Sequence, residues 1–300
     1  MAAAGERAAL LGAMPVVFVL IWSTGFIVAR YGMPHAPPMS FLVLRYVLSI
    51  ACFGLWVALA GARWPRGMAQ WRHLAVTGML MHGGYLGGVW AAVKGGLGAG
   101  AVALIVGLQP MLTALWVSGA STSGERVSVR QWAGLALGFA GLVLVVGPKL
   151  GEEIGAVPLA LAVAALLSIT VGTLYQKQHL EPCDVRTASV VQLLAALAVT
   201  APLALLETEP IDWQPSLIGA LAWSVLGLTL GAASLLYLLI QRGAATAVTS
   251  LLYLVPPCTA AMAWLLFGEP LPPAVLLGFA ITAAGVGLVV RGATTGVSSS

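Results

Sequence analysis

Few side chains in this sequence could do chemistry, and those few stand one at a time inside long apolar runs. Arg45 sits in the first third of one run and His82 in the middle of another. An arginine at the centre of a membrane helix costs about 2.5–3.5 kcal/mol on insertion scales. Such a residue is either an anchor whose long stem lets its head reach back to water or a group near the substrate path, and the sequence leaves both readings open. His82, with an ordinary imidazole pKa of about 6.5, could relay a proton, although an interior histidine is more often a satisfied packing residue.

A second set combines aromatic rings with hydroxyls and amides, as the wall of a cavity for a small organic solute requires. Trp22 and Ser23 are adjacent, and Trp90 follows Tyr85 in the His82 run. Helical spacing puts His82 with Tyr85, Ser168 with Gly172 and Tyr175, Ser234 with Tyr237, and Thr249 with Tyr253 and Pro256 on shared faces. Gln109 precedes Pro110 and Thr113 lies one turn beyond, so a proline would free a backbone carbonyl beside two polar side chains. Pro110 and Pro256 are therefore hinge candidates, with a packing kink as the alternative. The competing reading of the aromatics is a belt of anchors at the membrane surface.

Carboxylates are placed differently. All ten acidic residues map to loops or tails. Glu125 and Glu269 each stand just before a helix start, where a carboxylate complements the helix dipole, so capping is the expected role rather than proton transfer. No carboxylate remains at mid-membrane, which favours movement of a solute down its own gradient, with proton antiport through His82 as the alternative. Cys52, Cys183 and Cys258 are scattered without metal-ligand spacing. No catalytic constellation and no cofactor or metal site is expected, and the chain reads as a non-enzyme.

The elements that must position these residues follow from composition. Of the 300 residues 60% are hydrophobic and 8% charged, and the mean hydropathy is +0.97; such a chain is solvated by a bilayer. Lipid offers no partner to an open strand edge, so the fold class is all-α integral membrane. Charges and Pro/Gly clusters cut the chain into ten spans: 12–32, 39–60, 71–92, 98–118, 130–148, 154–177, 185–206, 215–240, 244–266 and 272–290. Arg7, Arg63, Arg66, Arg72, Arg126, Arg130, Lys177, Arg186, Arg242 and Arg291 fall on the side shared by both termini. Only Arg30, Lys94 and Lys149 fall opposite, so the positive-inside rule puts both termini in the cytoplasm. The net charge of +4 forms no patch, and nucleic acid is not an expected partner.

Residues 97–146 and 242–290 repeat one another. With Val102 on Val248, Pro110 falls on Pro256; a two-residue slip then lays Glu125 on Glu269, Gly134 on Gly278 and Gly141 on Gly285. More weakly, Ser23 falls opposite Ser168 and Arg45 opposite Gln192. Five spans per copy is an odd number, so the second copy enters from the other face: two inverted five-helix repeats, 1–150 and 151–291, followed by a disordered tail at 292–300. Small residues four apart, such as Gly134 and Gly138, permit close helix approach. The Gly134 and Gly278 helices are expected either to pack the bundle or to form a dimer seam, leaving a monomer or a homodimer open.

Trp22-Ser23-Thr24-Gly25-Phe26, Arg45, the two Pro helices, and a Glu followed by a Gly-rich helix ending in Val-Val resemble the EamA-type branch of the drug/metabolite transporter superfamily across essentially the whole chain. The resemblance implies a ten-helix bacterial inner-membrane carrier, commonly an exporter of amino acids or related metabolites. The expected function is export of a small zwitterionic or amphipathic solute by alternating access, with the lipid bilayer and that solute as partners. Uptake or exchange of a sugar-like solute, and a non-transporting membrane enzyme or assembly factor, are the rival readings.

Overall fold

The computed structural model describes residues 2–97, 102, 105–120, 127–146, 155–242, 251–267 and 272–295, and every regular element among them is helical. In chain order these are α1 (Ala2–Gly32), α2 (Pro38–Ala60), α3 (Met68–Gly78), α4 (Tyr85–Lys94), α5 (Gln109–Ala120), α6 (Val129–Val146) and α7 (Ala156–His179). They continue as α8 (Val185–Ala204), α9 (Pro215–Trp223), α10 (Ser234–Arg242), α11 (Val255–Phe267) and α12 (Pro273–Thr295). Four stretches are long and apolar enough to cross a membrane, Pro38–Ala60, Ala156–His179, Val185–Ala204 and Pro215–Ile240, and shorter apolar helices accompany them. At 1.5 Å per residue, the 23 residues of α2 extend about 34 Å, enough for a hydrocarbon core of about 30 Å.

Local sequence sets the helix ends. Pro38 opens α2 and Pro215 opens α9, positions where the missing N–H costs nothing. Gly61, at φ 58°, closes α2 by returning its N–H to the Val57 carbonyl, a left-handed stop that a side chain would strain. Asp184 caps α8 by accepting from the Arg186 N–H at 2.9 Å. α1 begins at Ala2 rather than at 12, and α12 runs on to Thr295, past the expected start of a disordered tail at 292.

Two helices change pitch midway. α3 and α4 are joined without a break by a π-helical segment, Met79–Gly84, and α9 and α10 by another, Ser224–Ala233. In a π turn the backbone bond reaches five residues back, widening the helix and loosening its carbonyls for other donors. Both have such a donor. Thr229 Oγ1 donates to the Ser224 carbonyl at 2.9 Å, and the Tyr46 hydroxyl donates to the His82 carbonyl at 2.7 Å.

α2 packs against α8 at the centre of the bundle, α4 against α7, and α1 against the π segment of α9–α10 and against α11. Phe41, Leu42, Tyr46, Phe53 and Leu193 are fully buried there. α6 and α12 form a separate seam in which glycine faces glycine: a Cβ on Gly134 would lie 2.7 Å from the Gly285 carbonyl, and one on Gly285 would lie 2.6 Å from the Gly134 carbonyl. Of the two expected roles of these helices, this contact is packing within the bundle. Many large apolar side chains, Leu55, Leu59 and Leu205 among them, point outward, as lipid-facing surfaces do.

Polar contacts close the two ends. At one end the 207–212 segment is tied to the turn between α1 and α2, to α2 and to α4: Glu207 accepts from the Met39 and Ser40 N–H groups at 2.9 and 2.8 Å, His35 Nδ1 lies 3.1 Å from Asp212 Oδ2, and Lys94 Nζ lies 2.6 Å from Glu209 Oε1. At the other, Gln70 Nε2 donates to the Glu181 carbonyl at 2.9 Å, and Arg186 lies 2.6 Å from Asp184.

Candidate functional site

A single interior cavity gathers most of the chemistry. α1 contributes Trp22, α2 Arg45, the first π segment His82, and α4 Tyr85 and Trp90; α7, α8 and α10 contribute Gln176, Gln192 and Tyr237. Small and aliphatic residues such as Gly25, Ala29 and Leu228 complete the wall. About 60 Å³ is open to the centres of water-sized molecules, room for a few waters and too narrow for an organic solute until the helices part.

Among the described residues Arg45 is the one charged side chain in that wall, and only 4% of it is exposed. Its Nε donates to Thr229 Oγ1 at 2.8 Å, and among the described residues no acceptor bonds its Nη nitrogens. A guanidinium so enclosed normally has a carboxylate beside it; none of the described residues that line the cavity supplies one. Gln176 and Gln192 are 2% and 4% exposed, and the Nε2 of each has no partner. An orphaned amide N–H costs free energy unless something fills it; these two N–H groups and the guanidinium could meet an acceptor in the cavity, whose wall also carries the side-chain oxygens of the two glutamines and the His82 ring.

The rings are arranged as firmly. Trp22 and Tyr85 lie parallel within 5°, centroids 6.3 Å apart, and Trp90 is stacked on Phe41 at 4.7 Å. The Tyr237 hydroxyl lies 3.0 Å from Cys183 Sγ, so its ring rather than its hydroxyl serves the cavity.

Of the residues expected from sequence, Trp22, Arg45, His82, Tyr85, Trp90, Gln192 and Tyr237 converge on the cavity, whereas Ser23, Gln109, Thr113, Ser168, Tyr175, Ser234 and Tyr253 do not line it. Ser23 donates to the Val19 carbonyl at 2.6 Å, an ordinary i–4 bond within its own helix. Gln109 donates to Thr173 Oγ1 at 3.2 Å, and Thr113 is buried with an unpartnered hydroxyl. Ser168 packs against Gly84, and Ser234 is an unpartnered hydroxyl in α10. Tyr175 turns away to the helix end, bonding His73 at 2.7 Å and stacking on His179 at 4.3 Å. Tyr253 is fully buried among Ala114, Leu135 and Val289.

Neither proline kinks a helix from within. Pro110 is the second residue of α5 and Pro256 the second of α11; the helix breaks just before each, at a turn over 107–108 and at a 3-10 turn, Leu251–Leu254. The side chain of Pro256, with Thr249, Glu125 and Glu269, lies outside the described residues.

Gln176 and Thr229 were not anticipated. The run Gln176-Lys177-Gln178-His179 reads as a helix running out into water, which hides Gln176, and Thr229 gains meaning only through Arg45. Outside the membrane, hydrogen bonding to Arg186 holds the Asp184 carboxyl below its ordinary pKa.

Comparison with known proteins places this geometry. The chain is 26% identical to a "probable amino-acid metabolite efflux pump" of Salmonella typhimurium over 171 residues, 57% of this chain and 54% of that protein; the match thus spans about half the length of that relative. It is 25% identical to the inner membrane transporter YedA of Escherichia coli, covering 94% of this chain and 91% of the other. It is 27% identical to a "probable terminal-alkyne amino-acid exporter" of Streptantibioticus cattleyicolor, covering 92% of each. A crystal structure 21% identical in sequence superposes with a TM-score of 0.77, covering 94% of this chain and 96% of that one, a likeness of fold. The profile of the EamA-like transporter family matches twice, over 9–147 and 157–291. The chain belongs to the EamA-like transporter family.

Proposed function

We propose that this protein is a multi-pass inner-membrane carrier that exports a small amphipathic metabolite, an amino acid or a relative of one, by alternating access. The observation that carries this reading is the cavity: a buried cation and two unpartnered amide donors stand among aromatic walls in the middle of an apolar bundle. Such an arrangement is expensive to maintain in lipid unless a polar solute uses it. The names of the efflux and export relatives support the direction.

The ten crossings are α1, α2, α3–α4, the stretch ending in α5, α6, α7, α8, α9–α10, the stretch ending in α11, and α12, with both termini in the cytoplasm. Inversion of two five-crossing halves is supported by three features. The matched residues Arg45 and Gln192 meet at one cavity. The two π segments interrupt the third crossing of each half. Packing partners exchange as a two-fold demands: α4 with α7 answers the second π segment with α1, and α5 with α7 answers α11 with α1. Halves related in this way can rock about a central site.

Solute counterflow tests the proposal. Purified protein in liposomes preloaded with unlabelled amphipathic amino acids should accumulate the labelled solute transiently. Absence of counterflow across a broad panel, with insertion verified, would overturn it.

A further inference from the structure

We infer that a second pocket, at the end of the bundle where α2 gives way to α3, binds the headgroup of an anionic phospholipid of the phosphatidylglycerol type. The pocket, about 590 Å³, lies between the 61–66 loop and the 181–186 segment and shares no lining residue with the central cavity. Three guanidiniums line it, Arg63, Arg66 and Arg186, against two carboxylates, Glu181 and Asp184. Arg186 and Asp184 neutralise one another at 2.6 Å. Among the described residues no acceptor bonds the Arg63 or Arg66 side chain, and no donor bonds the Glu181 carboxylate. The pocket therefore keeps a surplus of one positive charge, which a headgroup bearing one negative charge neutralises, and guanidinium forks match phosphate oxygens.

The loop that carries Arg63 and Arg66 is held in place. Gly61 and Gly67 turn it at φ 58° and 81°, Thr187 Oγ1 donates to the Arg63 carbonyl at 3.1 Å, and Trp71 Nε1 donates to the Pro65 carbonyl at 3.1 Å. Across the pocket Gln70 Nε2 holds the Glu181 carbonyl at 2.9 Å. Surface arginines are ordinarily solvated; the rim is what points to lipid here. Trp64 and Trp71 stack at 5.7 Å and are 45% and 37% exposed. Trp56, 49% exposed on α2, has the Arg186 guanidinium 5.4 Å from its ring centroid. Exposed indoles at the ends of membrane helices sit at headgroup level, so the pocket lies where phosphates are, with the lipid-facing side of α2 beside it for the acyl chains. An ethanolamine headgroup can satisfy Glu181 through its ammonium, yet it carries no net charge and leaves the surplus in place.

Native mass spectrometry of the delipidated protein in detergent tests this, with dioleoyl-phosphatidylglycerol, dioleoyl-phosphatidylethanolamine and free glycerophosphate as probes. Phosphatidylglycerol should bind at a concentration about fivefold or more below phosphatidylethanolamine, the ratio that one net charge is worth near a membrane surface. Glycerophosphate, without chains to hold it, should bind more weakly than phosphatidylglycerol. R63Q and R66Q, in an exposed loop, should each weaken phosphatidylglycerol binding about fivefold. R130Q removes the same charge at the start of α6, outside the pocket, and should leave binding unchanged. Equal binding of the two lipids overturns the inference, as does phosphatidylglycerol binding that R63Q and R66Q leave undiminished or that R130Q weakens as much. Glycerophosphate binding as tight as that of phosphatidylglycerol would make this a site for a soluble phosphate and overturn the lipid assignment.

Discussion

Arg45 Nε donates to Thr229 Oγ1 at 2.8 Å, and that same hydroxyl donates to the Ser224 carbonyl at 2.9 Å inside a π-helical segment. The next residue, Tyr46, donates to the His82 carbonyl in the other π segment at 2.7 Å. Two consecutive residues of α2 thus hold both irregular segments at the level of the cavity. Helix pitch, cavity wall and the buried charge are therefore one arrangement: a movement of either π segment must break a bond to α2.

Removing the hydroxyl while keeping the side-chain shape tests that link. T229V leaves a donor of a buried cation unpaired, and should cost about 1–3 kcal/mol as well as reducing counterflow. Y46F leaves the His82 carbonyl without its donor and should cost about 1 kcal/mol. Thermal unfolding in detergent measures both; unchanged stability in T229V would show that the bond is not formed.

The glycine seam makes a sharper structural prediction. A Cβ on Gly285 would lie 2.5 Å from the Gly138 nitrogen, whereas one on Gly287, two residues on, would meet nothing within 4 Å. G285A should therefore destabilise by about 1–3 kcal/mol, while G287A should be neutral or slightly stabilising. Equal effects from the two would contradict the packing of α6 on α12.

At the end where the 207–212 segment lies, Glu207 caps α2 from 167 residues away, accepting from two backbone N–H groups and the Ser40 hydroxyl. E207A should lower stability by about 0.5–2 kcal/mol. The half-exposed Lys94–Glu209 pair, a surface ion pair, should matter less, by about 0–1 kcal/mol. A ranking in the opposite order in thermal unfolding would show that the cap is not what holds this end.

Asp184 carries a pH dependence of known sign. Its carboxyl is held below its ordinary pKa by Arg186, so the stabilisation is fully present above the unfolded value of about 3.9 and is lost as pH falls through the folded one. The wild-type protein should lose part of its stability in acid, and D184N should lack that part. A D184N protein with the full acid dependence would assign the titration elsewhere.

The helices were legible because lipid leaves the backbone one solution and because Pro38, Gly61, Asp184 and Pro215 mark their own ends. The site was legible where the need was intrinsic to the residue: Arg45 cannot be ignored in an apolar run, and its repeat partner Gln192 follows from it. Faces of single helices were a poorer guide. Ser168 and Tyr175 share a face by spacing, yet Ser168 packs on Gly84 while Tyr175 is drawn to His73, because only the neighbouring helix decides what a face meets. The π segments were invisible for the same reason, since the donors that steady them come from α2 or from a single threonine.

Alternating access is the central claim, and cavity accessibility tests it most directly. Ala233 lines the cavity; in a variant with Cys52, Cys183 and Cys258 replaced by serine, A233C provides a single thiol there. Membrane-impermeant thiol reagents should label it from either face of sealed vesicles, with saturating solute slowing the reaction from both. Labelling from one face alone, or from neither, would contradict the account.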